Sequence, residues 1–248
     1  MKWIGRINEQ INIRRNARFF SIPFTRRKHF SIPETIKGQS YSILDEEEAK
    51  TDLLYIFIED IYGLRKTKAE LRTIVDVGGN IGLFGMAAAL THPEATVHSY
   101  DPQPEVWEPL EKNALQFGFT AHPKAVGGES GKVSLQVGEG TVNTRTKPSS
   151  EGEFAMISLL DAVKQLGGSV DLIKLDCEGA EWDIMEDKDA WTKIHRVGME
   201  YHLFDGQTHD QCRRKIEGLG FEVVEHYSET GGNFGLLRAY RKDAVAGW

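Results

Sequence analysis

Apolar positions recur along this chain with two periods, and the switches between them mark the elements. Ile4, Ile7 and Ile11 fall at helical spacing, and Leu53, Leu54, Ile56, Phe57 and Ile61 predict an amphipathic helix over 46–62 that Gly63 stops. Between these, Phe19-Phe20-Ser21-Ile22-Pro23 and Phe30-Ser31-Ile32-Pro33 read as short extended pieces broken by proline. From Arg72 onward short β-branched runs alternate with longer helical ones. Strands are expected over Thr73–Val77, Thr96–Tyr100, 170–175, 197–201, 221–226 and 234–240, with an extended segment up to Val126 and a hairpin-like stretch around 132–137. Helices are expected over 84–90, 105–117, from Ala180 and near 207–219, and residues 138–153, rich in Gly, Thr, Ser and Glu, read as an exposed loop. Strands separated by helices of this length are βαβ units, so the fold class is α/β: a doubly wound, mostly parallel sheet with helices on both faces. The last two strands are close enough to form a hairpin, which predicts an antiparallel edge. The expected division is a basic N-terminal appendage over 1–45, one domain over 46–241 and a tail over 242–248.

Composition changes this picture little, but charge does. The chain of 248 residues has a formal net charge of −7, which excludes a surface built as a whole to hold nucleic acid. Basic residues nevertheless crowd into 1–28, where Lys2, Arg6, Arg14, Arg15, Arg18, Arg26, Arg27 and Lys28 face only Glu9. That arm is read as a solvated surface or as a contact for a membrane surface or an anionic substrate. Cys177 and Cys212 have no paired spacing, and no apolar run is long enough for a signal peptide or a membrane span. A reducing, cytoplasmic setting is expected, at most peripheral to a membrane.

The segment Ile74-Val75-Asp76-Val77-Gly78-Gly79-Asn80-Ile81-Gly82 delivers a buried strand to a glycine turn, where a nucleotide-type cofactor can approach the backbone and the next helix presents free N–H groups. A dinucleotide fingerprint needs glycine where Asn80 and Leu83 stand, so a nicotinamide or flavin is disfavoured. An acidic residue just before such a turn resembles the first motif of S-adenosylmethionine-dependent methyltransferases, carried here by Asp76, Gly78, Gly79 and Gly82. Asp101 ends the next strand, where a carboxylate can accept hydrogen bonds from both ribose hydroxyls. Pro102 and Gln103 would flank an adenine ring, with Ala125 and Val126 closing its other side.

A second concentration of chemistry comes after the 170–175 strand. Asp176 and Glu178 sit at its carboxyl end, where open α/β sheets bind ligands, and Glu181 falls in the first turn of the next helix, a place the helix dipole favours. Glu200 and His202 share one face of the following strand, so the carboxylate can orient the imidazole.

Taken together, VDVGGNIG, HSYDPQP, AVGG, SLLDAV, DLIKLDCEGAEWDIM and GMEYH, in this order, resemble the FkbM family of S-adenosylmethionine-dependent methyltransferases over residues 40–240. The resemblance implies the Rossmann-like class I methyltransferase fold, a seven-stranded sheet with its last pair antiparallel. It also implies S-adenosylmethionine as cofactor and O-methylation of a hydroxyl on a sugar, glycan or small natural product. Two positions depart from the family's habit, Gly79 where alanine is common and Asp101 where glutamate is. On this reading His202 or Glu178 removes the hydroxyl proton and Glu200 orients the base; alternatively Asp176, Glu178 and Glu200 gather a divalent cation such as Mg²⁺. A methyltransferase acting on a nucleic-acid base or protein nitrogen would carry an Asn/Asp-Pro-Pro-aromatic run where this chain has Asp176-Cys177-Glu178-Gly179. A non-catalytic cofactor-binding module would be favoured by a degraded glycine turn or a missing Asp101, and both are intact.

Overall fold

A computed structural model describes residues 2–136, 145–204, 206–228 and 232–242. Helix α1 (Lys2–Phe19) leads to α2 (Glu46–Leu53), whose N-cap Asp45 accepts the N–H groups of Glu47 and Glu48. Beyond it lie β1 (Thr73–Val77), α3 (Leu83–Thr91), β2 (Thr96–Tyr100), α4 (Pro104–Phe117), β3 (Thr120–His122), β4 (Ala125–Gly127) and β5 (Gly131–Gln136). Next come β6 (Arg145–Pro148), β7 (Phe154–Ser158), α5 (Leu159–Gln165), β8 (Leu172–Leu175), α6 (Glu181–Ile184) and α7 (Lys188–Trp191). The last elements are β9 (Arg196–His202), α8 (His209–Gly218), β10 (Phe221–Ser228) and β11 (Phe234–Arg241).

Seven strands form the main sheet in the order β10-β11-β9-β8-β1-β2-β3. Strands β3, β2, β1, β8 and β9 run parallel, while β11 is antiparallel to both β9 and β10. The expected hairpin is therefore present, with its second strand inside the sheet and its first, β10, at the edge. Alternate side chains feed two cores, as a sheet covered on both faces requires. Ile74 and Leu172 pack with α3 and α4 on one side; Val75, Val77, Ile173 and Leu175 pack with α5, α7 and α8 on the other.

Three local expectations change. The helix over 46–62 is α-helical only to Leu53; Leu54–Glu59 winds as a wider π turn, and the chain leaves it at Asp60, not Gly63. Asp60 adopts φ 55°, and its buried carboxylate accepts the N–H groups of Arg65 and Lys66, which fixes that corner. Within the segment read as an exposed loop, Arg145–Pro148 is a strand, paired with β5 in a second sheet of order β4-β7-β5-β6. Residues 138–144 of that segment and 243–248 of the tail lie outside the described residues.

The segment read as an appendage packs Ala17, Phe20, Ile22, Phe30 and Ile36 into the same buried cluster as Phe84 and Leu110. Phe20 meets Phe57 edge to face at 4.8 Å, and Asn16 donates to the Ile58 carbonyl and accepts from Arg65. Its basic side chains point outward: Arg14, Arg15, Arg18, Arg26 and Lys28 are exposed. Among the described residues, no helix is long and apolar enough to cross a membrane. Because Phe20 is fully enclosed, Phe20→Ala should cost about 3–5 kcal/mol in a single denaturant transition that also melts the sheet. A separate low-stability transition, or an unchanged midpoint, would mean that residues 1–45 fold apart from the rest.

Candidate active site

A cavity of about 550 Å³ opens at the carboxyl ends of β1, β2, β8 and β9, roofed by α2 and the π turn. Its floor is the turn after β1. Gly78 has φ 75°, and a Cβ there would lie 1.7 Å from the Asp176 carbonyl oxygen, so only glycine lets β1 and β8 end this close together. Gly79 leaves room for the Ser99 hydroxyl, which donates to Asp76 at 2.6 Å; an alanine Cβ would stand 2.2 Å from that oxygen. The departure at position 79 is thus matched by Ser99. Gly82 begins α3 at φ 88°, and a Cβ there would collide with Phe119, so its role is packing rather than lining.

The turn's N–H groups are not free as expected. Gly78 and Gly79 both donate to the Tyr100 carbonyl, and Asn80, itself left-handed at φ 46°, donates to Asp101 at 2.9 Å. These three N–H groups are spent within the protein, unlike those of a phosphate cradle. Asp101 also accepts from the Gln103 N–H at 2.9 Å, and burial raises its carboxyl to about 6 against the pull of those two donors. Each of its oxygens is thereby fixed in direction at the cavity wall. Pro102, Gln103, Ala125 and Val126 line the same end, as expected of an adenine slot.

Beneath the floor Lys174 and Asp76 form a buried ion pair at 3.1 Å. Burial alone would lower the Lys174 ammonium's pKa, but Asp76 and Asp176 outweigh it and hold the charge. Lys174 also donates to the carbonyls of Val77 and Gly78, tying the end of β1 to β8.

The chain then turns through Asp176-Cys177-Glu178-Gly179. Glu178 is left-handed at φ 55°, a conformation costly for a residue with a side chain. Glu181, fully buried, holds it there: its two carboxylate oxygens accept the N–H groups of Cys177 and Gly179 at 2.8 and 2.9 Å. It therefore serves the turn before α6 more than the dipole of that helix. His202 lies beside this turn, with Glu178 at 3.5 Å, Glu181 at 3.6 Å and Glu200 at 3.8 Å. Burial would lower the imidazole's pKa, but the adjacent Glu181 carboxylate, with Glu178 and Asp176, raises it to about 9. Burial and the charge of Asp176 push the Glu200 carboxyl upward. Among the described residues, ligand atoms of Asp176, Glu178 and His202 all lie within 4.8 Å of one another, so the histidine rather than Glu200 joins the two acids.

Residues of α2 and of the turn that follows it line the same cavity. The Tyr62 hydroxyl donates to Asp176 at 2.8 Å, and burial together with that carboxylate keeps the phenol protonated well above its usual range. Asp52, on α2, is raised to about 7 by burial and then by Asp176. Sequence reasoning singled out Asp176, Glu178, Glu200 and His202, and the structure gathers them on one wall; Asp76 lies beneath the floor. It missed the pairing of Lys174 with Asp76, the parts of Tyr62 and Asp52, and the turn-shaping role of Glu181. A charged residue inside the apolar run Leu172-Ile173-Lys174-Leu175 was a readable sign, whereas nothing local marks Tyr62 or Asp52.

Comparison with known proteins identifies the family of the chain. The family model described as the methyltransferase FkbM domain matches residues 76–223, more than half of the chain. The chain is 27% identical over 241 residues to 31-O-demethyl-FK506 methyltransferase FkbM of Streptomyces tacrolimicus, covering 78% of this chain and 90% of that one. It is 26% identical over 151 residues to hexuronic acid methyltransferase AglP of Haloferax volcanii, covering 58% and 62%. Among solved structures it is similar to magnesium protoporphyrin IX methyltransferase of Synechocystis PCC 6803 with bound SAM, at 12% identity and a TM-score of 0.48 over 83% of this chain and 87% of that one. The chain belongs to the FkbM methyltransferase family, and it is an S-adenosylmethionine-dependent methyltransferase.

Proposed function

We propose that this enzyme methylates a hydroxyl oxygen of a sugar or small-molecule acceptor, with the cofactor's adenosine held at the Asp101 end of the cavity and the acceptor at the Asp176–His202 end. The observation that carries the reading is the pairing of two unlike ends in one cavity: a carboxylate fixed by two backbone donors, and a histidine ringed by carboxylates. Relatives whose names specify 31-O-demethyl-FK506 and hexuronic acid support an acceptor of this kind.

When bound, S-adenosylmethionine supplies an electrophilic methyl group. The chain's part is to place the acceptor and take its proton, since a neutral hydroxyl is a weak nucleophile. His202 Nε2 faces Glu178 and Glu200, so a proton taken there is stabilised by adjacent negative charge. Tyr62 fixes Asp176 as an acceptor-positioning group, and Gly78, Gly79 and Asn80 let the cofactor lie against the backbone. The divalent-cation alternative would use Asp176 and Glu178 with a neighbouring ligand; unchanged turnover in EDTA would eliminate it.

Substitutions at the two ends should act on different steps. Asp101→Ala should weaken S-adenosylmethionine binding roughly 10- to 100-fold, the range of one or two hydrogen bonds to a charged group, as read by calorimetry; unchanged affinity would move the cofactor elsewhere. At the other end His202 carries its proton at neutral pH and acts as a base only after losing it. Turnover should therefore rise with pH up to about 9. His202→Gln should abolish that rise and lower kcat by about 10²–10⁴-fold with cofactor affinity retained. A pH-independent wild-type rate would rule His202 out as the base.

A further inference from the structure

The two ring nitrogens of His202 meet different surroundings. Nε2 lies beside Glu178 at 3.5 Å and Glu200 at 3.8 Å, both of which line the cavity. Nδ1 lies on the other side, beside Glu181, which is fully buried and is not among the lining residues. This Nδ1 is enclosed and has no hydrogen bond among the described residues, a state that is costly to leave uncorrected. Glu181 Oε1 stands 3.6 Å from it. That oxygen accepts the Cys177 N–H and, like any carboxylate oxygen, has a second lone pair to offer. A movement of about half an ångström brings the two atoms within the range of an N–H···O bond, and catalytic hydrogen bonds commonly tighten in this way once a site is filled.

Both partners are held for this contact. Glu181 is anchored by the N–H groups of Cys177 and Gly179, one on each oxygen. The imidazole lies nearly parallel to the Phe204 ring, at 12° with centroids 6.3 Å apart. Phe204 in turn rests on Gly179, where a Cβ would stand 2.4 Å from its ring. The His202 backbone is fixed by the Trp182 indole, which donates to its carbonyl at 2.7 Å. A neutral imidazole carries one proton, and the hydrogen bond made by one nitrogen decides which of them keeps it. Glu200, expected from the sequence to orient the base, lies beside Nε2 and so cannot hold Nδ1.

Resting on the reading of His202 as the base, we propose that Glu181 is a positioning residue for methyl transfer: it keeps a proton on Nδ1, so that Nε2 presents its lone pair to the acceptor hydroxyl. In the step the acceptor oxygen gives its proton to Nε2 and an electron pair to the methyl carbon, while the pair of the S–C bond leaves with the sulfur. The imidazolium that results stands between Glu181 on one side and Glu178 on the other, and a buried carboxylate behind the ring stabilises it. Glu181 thus joins the turn that carries Glu178 to the orientation of the base.

The test is a nitrogen NMR spectrum of the full chain with isotope-labelled histidine, loaded with S-adenosylhomocysteine in buffer containing EDTA, the His202 signals being assigned by their loss in His202→Gln. At about pH 10, above the value of about 9 for this imidazole, the chemical shifts report which ring nitrogen keeps the proton. The wild type should keep it on Nδ1. Glu181→Gln should lower the ratio of the Nδ1–H to the Nε2–H form at least about ten-fold, the worth of one hydrogen bond to a charged group, and Glu200→Gln should leave that ratio unchanged. Retained S-adenosylhomocysteine affinity verifies the fold of each variant; if Glu181→Gln loses it, the wild-type spectrum decides alone. A wild-type proton on Nε2 overturns the proposal, and so does a ratio that moves in Glu200→Gln but not in Glu181→Gln. If turnover still rises with pH in either case, the base reading stands without Glu181; a pH-independent turnover overturns both.

Discussion

The ion pair between Lys174 and Asp76 governs the geometry of everything above it. Two charges buried between adjacent central strands are costly to remove from water, and such a pair persists only where its remaining donors and acceptors are also satisfied. Here they are: Lys174 reaches the carbonyls of Val77 and Gly78, and Asp76 accepts from Ser99. The ends of β1, β2 and β8 are thereby locked in one register. The glycine floor and the acidic turn can then approach so closely that a methyl group at position 78 would overlap the Asp176 carbonyl.

That lock has consequences on both sides of the cavity. On one side Tyr100 and Asp101 take up the N–H groups of Gly78, Gly79 and Asn80, so none of these three is left to hold a phosphate group. On the other the chain passes through a left-handed Glu178, and the buried Glu181 offsets that strain by accepting two N–H groups of the same turn. Trp182, next in sequence, donates to the His202 carbonyl at 2.7 Å and so ties the turn to β9. The histidine is thereby held among the carboxylates of the turn and of its own strand.

The parallel sheet was legible because its strands are short apolar runs set between helices, a pattern that local chemistry enforces. Asp101, Glu178 and His202 were legible because an acid or an imidazole at the end of an apolar strand must be satisfied by something. Other features were hidden for physical reasons. The fate of the glycine turn's N–H groups depends on the Tyr100 carbonyl of a neighbouring strand, which periodicity does not reveal. Tyr62 reaches Asp176 across 114 positions, and Asp52 enters the cavity only because Phe20, Phe57 and Ile58 seat the N-terminal segment on the sheet. The π turn at Leu54–Glu59 reads as ordinary helix in the sequence, since it keeps nearly the same apolar spacing while rotating the residues beyond it, Asp60 to Tyr62, to new directions.

One floor, set by a buried ion pair, thus serves a cofactor end and an acceptor end. A crystal structure with S-adenosylhomocysteine bound would test this most directly. The expected result has both ribose hydroxyls within hydrogen-bond distance of the Asp101 carboxylate and the sulfur directed toward Asp176, Glu178 and His202. A cofactor seated away from Asp101, or with its sulfur turned from that acidic wall, would contradict it.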